Sequence, residues 1–141
     1  MNEATATVTF QPRQQGAKII NDFLHQINEL KSSDINTLTD KVQENAVKHG
    51  WWDDDQRTFG DIVALCHCEL SEAMEEYRNG HKPNETYFNG EKPEGIPTEL
   101  ADVVIRIMDY CSYAGIDLKK AILQKMEYNK LRPYKHGGKV I

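Results

Sequence analysis

Along most of this chain the hydrophobic residues recur at intervals of three and four, the spacing of one face of an α-helix. "AKIINDFLHQINEL" places Ile19, Ile20, Phe23, Leu24, Ile27 and Leu30 on one side of a first helix. "SSDINT" supplies capping side chains ahead of "LTDKVQENAVKHG", where Leu38, Val42 and Ala46 mark a second helix ended by Gly50. A third runs from about Phe59 to Asn79 and stops at Gly80; Phe59, Val63, Cys66, Leu70, Ala73, Met74 and Tyr77 form its apolar stripe, the expected core face. A fourth opens at Pro97, a residue tolerated in a first turn, and runs to Tyr113 before Gly115. Asp117 caps a fifth that reaches about Leu131, and Pro133 ends it.

The expected fold is therefore all-α, a bundle of about five helices in one domain over residues 16–141. Residues 1–15 carry little pattern; "TATVTF" has the makings of a short strand, but a flexible arm is the expectation. The longest connection is "GHKPNETYFNGEKPEGI", residues 80–96, with three of the nine glycines and two of the five prolines. A structureless stretch of that length in a small domain is functional or disordered.

A length of 141 residues fits a single core and leaves no room for a second domain of ordinary size. The formal net charge of −5 and the lack of a long Lys/Arg block argue against a nucleic-acid polymer as partner. No run approaches the length of a membrane span, and the N-terminus has neither the basic start nor the apolar stretch of a signal peptide, so the expected location is cytoplasmic. Cys66, Cys68 and Cys111 are odd in number and read as reduced thiols packed like small hydrophobes.

The third helix also contains "ELSEAMEE", four glutamates in eight positions, with no lysine or arginine between Thr58 and Tyr77. Like charges three or four apart each cost a few tenths of a kcal/mol, so a cation from elsewhere is expected to offset them. Glu69, Glu72 and Glu76 lie together on the flank of the apolar stripe, with Leu65 among them, as if that flank also met protein. On the fourth helix Leu100, Val103, Val104, Ile105, Ile107, Met108 and Cys111 cover well over half the circumference, which predicts a nearly buried helix. Its narrow polar strip holds Glu99, Asp102, Arg106 and Asp109. If the two helices pack together, Glu69, Glu72, Glu99 and Asp102 converge as a box of oxygen ligands suited to Mg²⁺ or Mn²⁺, hard cations that also bind phosphate oxygens.

"ELSE" followed by "ELAD" resembles the E-x-x-E…E-x-x-D signature of the all-α nucleoside triphosphate pyrophosphohydrolases, the MazG-like superfamily. "KMEYNKLRPYKHGGK" is similar to an ending common among its members, and "HGWWDD" to the connector that precedes their acidic helix. The likeness covers roughly residues 35–140. It implies a compact helical fold, assembled as a homodimer or homotetramer, that splits a nucleoside triphosphate into monophosphate and pyrophosphate with Mg²⁺. The chain has one motif set rather than the tandem domains of full-length MazG, and its 80–96 loop has no assigned role in the family.

Carried over by position, the resemblance makes Glu69, Glu72, Glu99 and Asp102 the metal ligands, with Glu72 or Glu76 orienting the attacking water. Arg106 either pairs within the box or contacts phosphate. Lys125, Asn129 and Arg132 share one face of the last helix and suit phosphate or sugar, and Lys135 with His136 precedes the Gly137-Gly138 pair as a closing segment over a nucleotide. Trp51 and Trp52 are either core anchors or a stacking surface for a base, and His49 either meets a base edge or simply ends its helix. Two rivals stand beside this. A carboxylate-bridged di-iron bundle needs Glu-x-x-His motifs that are missing here, and a non-catalytic interaction module would turn its acids to water or to a basic partner.

Overall fold

A computed structural model of the chain describes residues 34–54 and 57–133, which form four helices and one short β-hairpin. The arm expected over 1–15, the helix expected from Ile19 to Leu30, and Lys135 and His136 lie outside the described residues. The helices are α1 (Ile35–Lys48), α2 (Phe59–Arg78), α3 (Ile96–Tyr113) and α4 (Leu118–Lys130). Strands β1 (Tyr87–Asn89) and β2 (Lys92–Glu94) lie between α2 and α3.

Local chemistry explains the helix ends. Asp34 caps α1 by accepting the Thr37 backbone N–H at 3.0 Å, and Gly50 leaves the helix with φ 77°. Thr58 and Asp61 form a reciprocal capping box at the start of α2. Asp117 caps α4 through the Lys120 N–H at 2.9 Å, and Asn36 Nδ2 donates to the same carboxylate at 2.9 Å. With Lys119 Nζ 3.0 Å from Asp34 Oδ2, these bonds fasten the beginning of α4 to the beginning of α1.

The 80–96 connection is not the structureless loop expected. Its strands pair antiparallel in the register Tyr87↔Glu94, Phe88↔Pro93 and Asn89↔Lys92, joined by Gly90 and Glu91. Gly90 takes φ 66°, the left-handed conformation that an Asn-Gly turn supplies at no steric cost. "FNGEK" carries that signal, but the strands are too short for any alternation to stand out.

Helix α3 is central and packs on both α1 and α2. The buried apolar side chains are Ile62, Ala73, Met108 and Cys111, and they are joined in the interior by Thr39, Glu69, Glu99 and Asp109. This turns α2 part of the way from its expected orientation. Ile62, Glu69 and Ala73 are buried, with Cys66 half-buried between them, whereas Phe59 is 60% exposed and Tyr77 63% exposed. Cys66 and Ala73 belong to the expected stripe and do lie inward, but the centre of the buried face is shifted from the centre of that stripe by roughly 60°. The edge of the stripe nearest Glu69 therefore meets α3, while Glu72 on the same flank stays exposed. Helix α3 is likewise less buried than its composition predicts, since Leu100, Val104, Ile105 and Ile107 are exposed. Of the three free thiols only Cys111 is buried, and Cys68 is exposed rather than packed.

Candidate functional site

The inward flank of α2 delivers Glu69 to the polar strip of α3. Glu69, Glu99 and Asp102 each offer a carboxylate oxygen, and these atoms all lie within 4.8 Å of one another. Glu99 is 4% exposed and Glu69 7%, with Asp102 half-buried. Glu99 also sits in the first turn of α3, where the helix dipole favours negative charge.

One guanidinium faces the trio. Arg106 Nη2 lies 2.6 Å from Glu69 Oε1, and Arg106 Nε lies 2.7 Å from the same oxygen. Both contacts end on Oε1. Burial pushes the Glu99 carboxyl above the usual range, and the charges of Glu72, Asp102 and Glu69 push it further. Burial likewise raises Asp102, then the charge of Glu69, while Arg106 pulls it back. Three acids facing Arg106, with the Lys92 charge also acting on Glu99 and Asp102, still leave net negative charge in a place where burying it is costly.

The donor set fits a small hard cation in its chemistry: oxygen only, anionic and converging from two rigid helices. Oxygens sharing one octahedral Mg²⁺ stand about 2.9 to 4.2 Å apart, given metal–oxygen distances of about 2.1 Å. The observed 4.8 Å envelope is slightly wider.

The other candidate residues divide. Glu72 is exposed and stands outside the close trio, yet its charge is the second cause of the raised Glu99. Glu76 accepts the Tyr87 hydroxyl at 3.1 and 3.2 Å, and His81 Nε2 is 3.7 Å from it. Arg106 is committed to the ion pair. Trp52 is anchored, its indole N–H donating to Asp109 Oδ1 at 2.9 Å and its ring stacked on Tyr113 at 3.9 Å. Trp51 is 49% exposed, and the Arg57 guanidinium lies 4.8 Å from its ring centroid. His49 is the C-cap of α1, its Nδ1 2.8 Å from the Asn45 carbonyl oxygen. Lys125, Asn129 and Arg132 are exposed; α4 packs on α1, and none of the three contacts the acids within the described residues. Lys125 instead lies over the Tyr128 ring.

Sequence reasoning missed two residues, Tyr87 and Lys92, and one pairing. Asp109 was legible as part of the polar strip, but its partner Trp52 lies 57 positions away. Tyr87 and Lys92 reach the acids only because the hairpin forms. No periodic signal marks them.

None of the family models, curated proteins or solved structures compared with the chain matches it. Among the described residues no helix is long and apolar enough to cross a membrane.

Proposed function

We propose that the chain is a divalent-cation-dependent nucleoside triphosphate pyrophosphohydrolase, with Mg²⁺ or Mn²⁺ held by Glu69, Glu99 and Asp102 and with Glu72 at the edge of the site. The observation that carries this is the approach of three carboxylates from two helices to within 4.8 Å, with a single arginine against them. The motif likeness of "ELSE", "ELAD" and the C-terminal segment supports the substrate class. Bound there, the cation would neutralise the triphosphate and polarise its α-phosphate.

The chain's own groups have separate duties. Arg106 holds Glu69 through Oε1 beside Glu99 and Asp102. Glu72, exposed beside Glu99, is the better placed of the two candidates to orient a water, because Glu76 is engaged by Tyr87. Trp51, half in solvent, is the better stacking surface for a base than the anchored Trp52. The exposed apolar positions of α2 and α3, Leu70, Met74, Tyr77, Leu100, Val104 and Ile107, suit burial against a second copy, in keeping with a homodimer or homotetramer.

The test is a panel of nucleoside triphosphates incubated with Mg²⁺ and scored for monophosphate plus pyrophosphate against diphosphate plus phosphate. Glu69→Gln and Asp102→Asn are expected to abolish pyrophosphate release with the helical circular dichroism retained. If the parent protein hydrolyses nothing in the panel, or these variants hydrolyse as the parent does, the acids are an internal ion-pair cluster of a binding module.

A further inference from the structure

The hairpin between α2 and α3 has two strands of three residues, a size that does not hold together unaided in water. It is fastened at both ends. On one side the Tyr87 hydroxyl donates to Glu76 of α2, and the His81 ring stacks on the Tyr87 ring at 4.7 Å. On the other, β2 runs through Gly95 directly into α3 and packs on that helix. Gly95 has φ 112°, and a Cβ there would fall against the Glu85 carbonyl oxygen, so the two ends of the hairpin close on each other with no room for a side chain.

The register decides which side chains point at the acids. Side chains alternate along a strand, so Tyr87 and Asn89 share a face with their partners Glu94 and Lys92, while Phe88 and Pro93 take the other. Phe88 is 68% exposed, which leaves the Tyr87–Lys92–Glu94 face toward the helices. Lys92 Nζ lies 3.0 Å from both Glu94 oxygens. Its charge interacts with Glu99 and Glu72, and the Tyr87 hydroxyl interacts with Glu76, Glu94 and Glu99. The Lys92 side chain keeps 65% of its surface in solvent. A largely solvated ammonium, paired with Glu94 and near enough to Glu99 and Glu72 for the charges to interact, is thus carried on a platform fixed to both helices that supply the acids.

We infer that Lys92 is a substrate-gripping residue, which leaves Glu94 and the acids when a divalent ion and a polyphosphate arrive together and then binds the phosphate oxygens. This rests on the proposed triphosphate chemistry and adds the role of the hairpin. Lysine suits the task because its ammonium is a point charge with three rotatable donors on a flexible stem, able to exchange a carboxylate for a phosphate without moving the backbone. Until then it is a competitor of the divalent ion for the same negative charge.

Two binding measurements on the intact protein test it. Mn²⁺ binding is followed by electron paramagnetic resonance, and binding of α,β-methylene analogues of the four deoxynucleoside triphosphates is followed calorimetrically with Mn²⁺ present. Lys92→Met is expected to bind Mn²⁺ as tightly as the parent or a few-fold tighter, and the best analogue about tenfold more weakly, with Lys92→Arg restoring most of the loss. Unchanged analogue binding in Lys92→Met would make Lys92 a solvated partner of Glu94 and overturn the inference. Equal weakening of Mn²⁺ and analogue would also overturn it, because Lys92 would then be maintaining the shape of the site. A parent protein that binds neither probe removes the triphosphate reading itself, an outcome distinct from the other two.

Discussion

Arg106 grips Glu69 by two nitrogens on one oxygen, at 2.6 and 2.7 Å, across the seam between α2 and α3. A buried carboxylate that loses its ion-pair partner becomes costly, and here two further acids stand beside it. Arg106→Met is expected to destabilise the metal-free protein by about 2–3 kcal/mol, less than a fully buried pair because Arg106 keeps 25% of its side chain in water. Urea unfolding with and without Mg²⁺ is the measurement. Mg²⁺ should recover a larger share of stability in the variant than in the parent, since it replaces the missing positive charge.

Protonation should act on the same cluster. Burial and neighbouring carboxylates raise Glu99 and Asp102, so the folded chain retains protons that the unfolded chain has released. Stability contributed by such groups falls as pH rises through the interval beginning at their ordinary values, 4.5 and 3.8. Asp34 works in the opposite direction: the Thr37 N–H and then Lys119 hold it at about 2, so its contribution is present above 3.8 and lost as pH falls toward 2. The metal-free protein is therefore expected to show a declining urea midpoint as pH is raised from about 4.5 toward neutrality. The combined variant Glu99→Gln, Asp102→Asn should flatten that decline.

Trp51 and Trp52 should separate cleanly. Trp52→Phe keeps a ring against Tyr113 but leaves the buried Asp109 without its indole donor, at a cost of about 1–3 kcal/mol. Trp51→Ala, at an exposed position, should change stability by less than about 1 kcal/mol. If Trp51 stacks on a base, its loss raises KM for nucleotide while the thermal midpoint stays in place. Steady-state kinetics beside thermal melts read both.

The hairpin junction offers a contrast between two glycines. Gly95→Ala puts a methyl group 2.5 Å from the Glu85 oxygen at φ 112°, and about 2 kcal/mol or more should be lost along with the closure of the hairpin. Gly90→Ala meets open space at φ 66°, so only the left-handed backbone is strained, at about 1 kcal/mol. Hydrogen exchange at the β1 and β2 amides should rise far more in the first variant.

What the sequence by itself determined is local. Asp34, Thr58 and Asp117 each begin a helix because a short polar side chain can satisfy backbone N–H groups within its own first turn. The acids of α2 and α3 were visible for the same reason, since their spacing alone places them on one flank of a helix. Which flank turns inward was a tertiary decision. Apolar content pointed to the whole Phe59–Tyr77 stripe, but α3 brings Arg106 to Glu69 and contributes Met108 and Cys111 to the interior, so that Cys66 and Ala73 turn inward with Ile62 and Glu69 while Phe59 and Tyr77 stay exposed. The hairpin, the Trp52–Asp109 bond and the placing of Lys92 beside Glu94 and Glu99 were also decided there. Each joins residues whose relation depends on how the intervening chain folds, and neither periodicity nor capping chemistry carries that information.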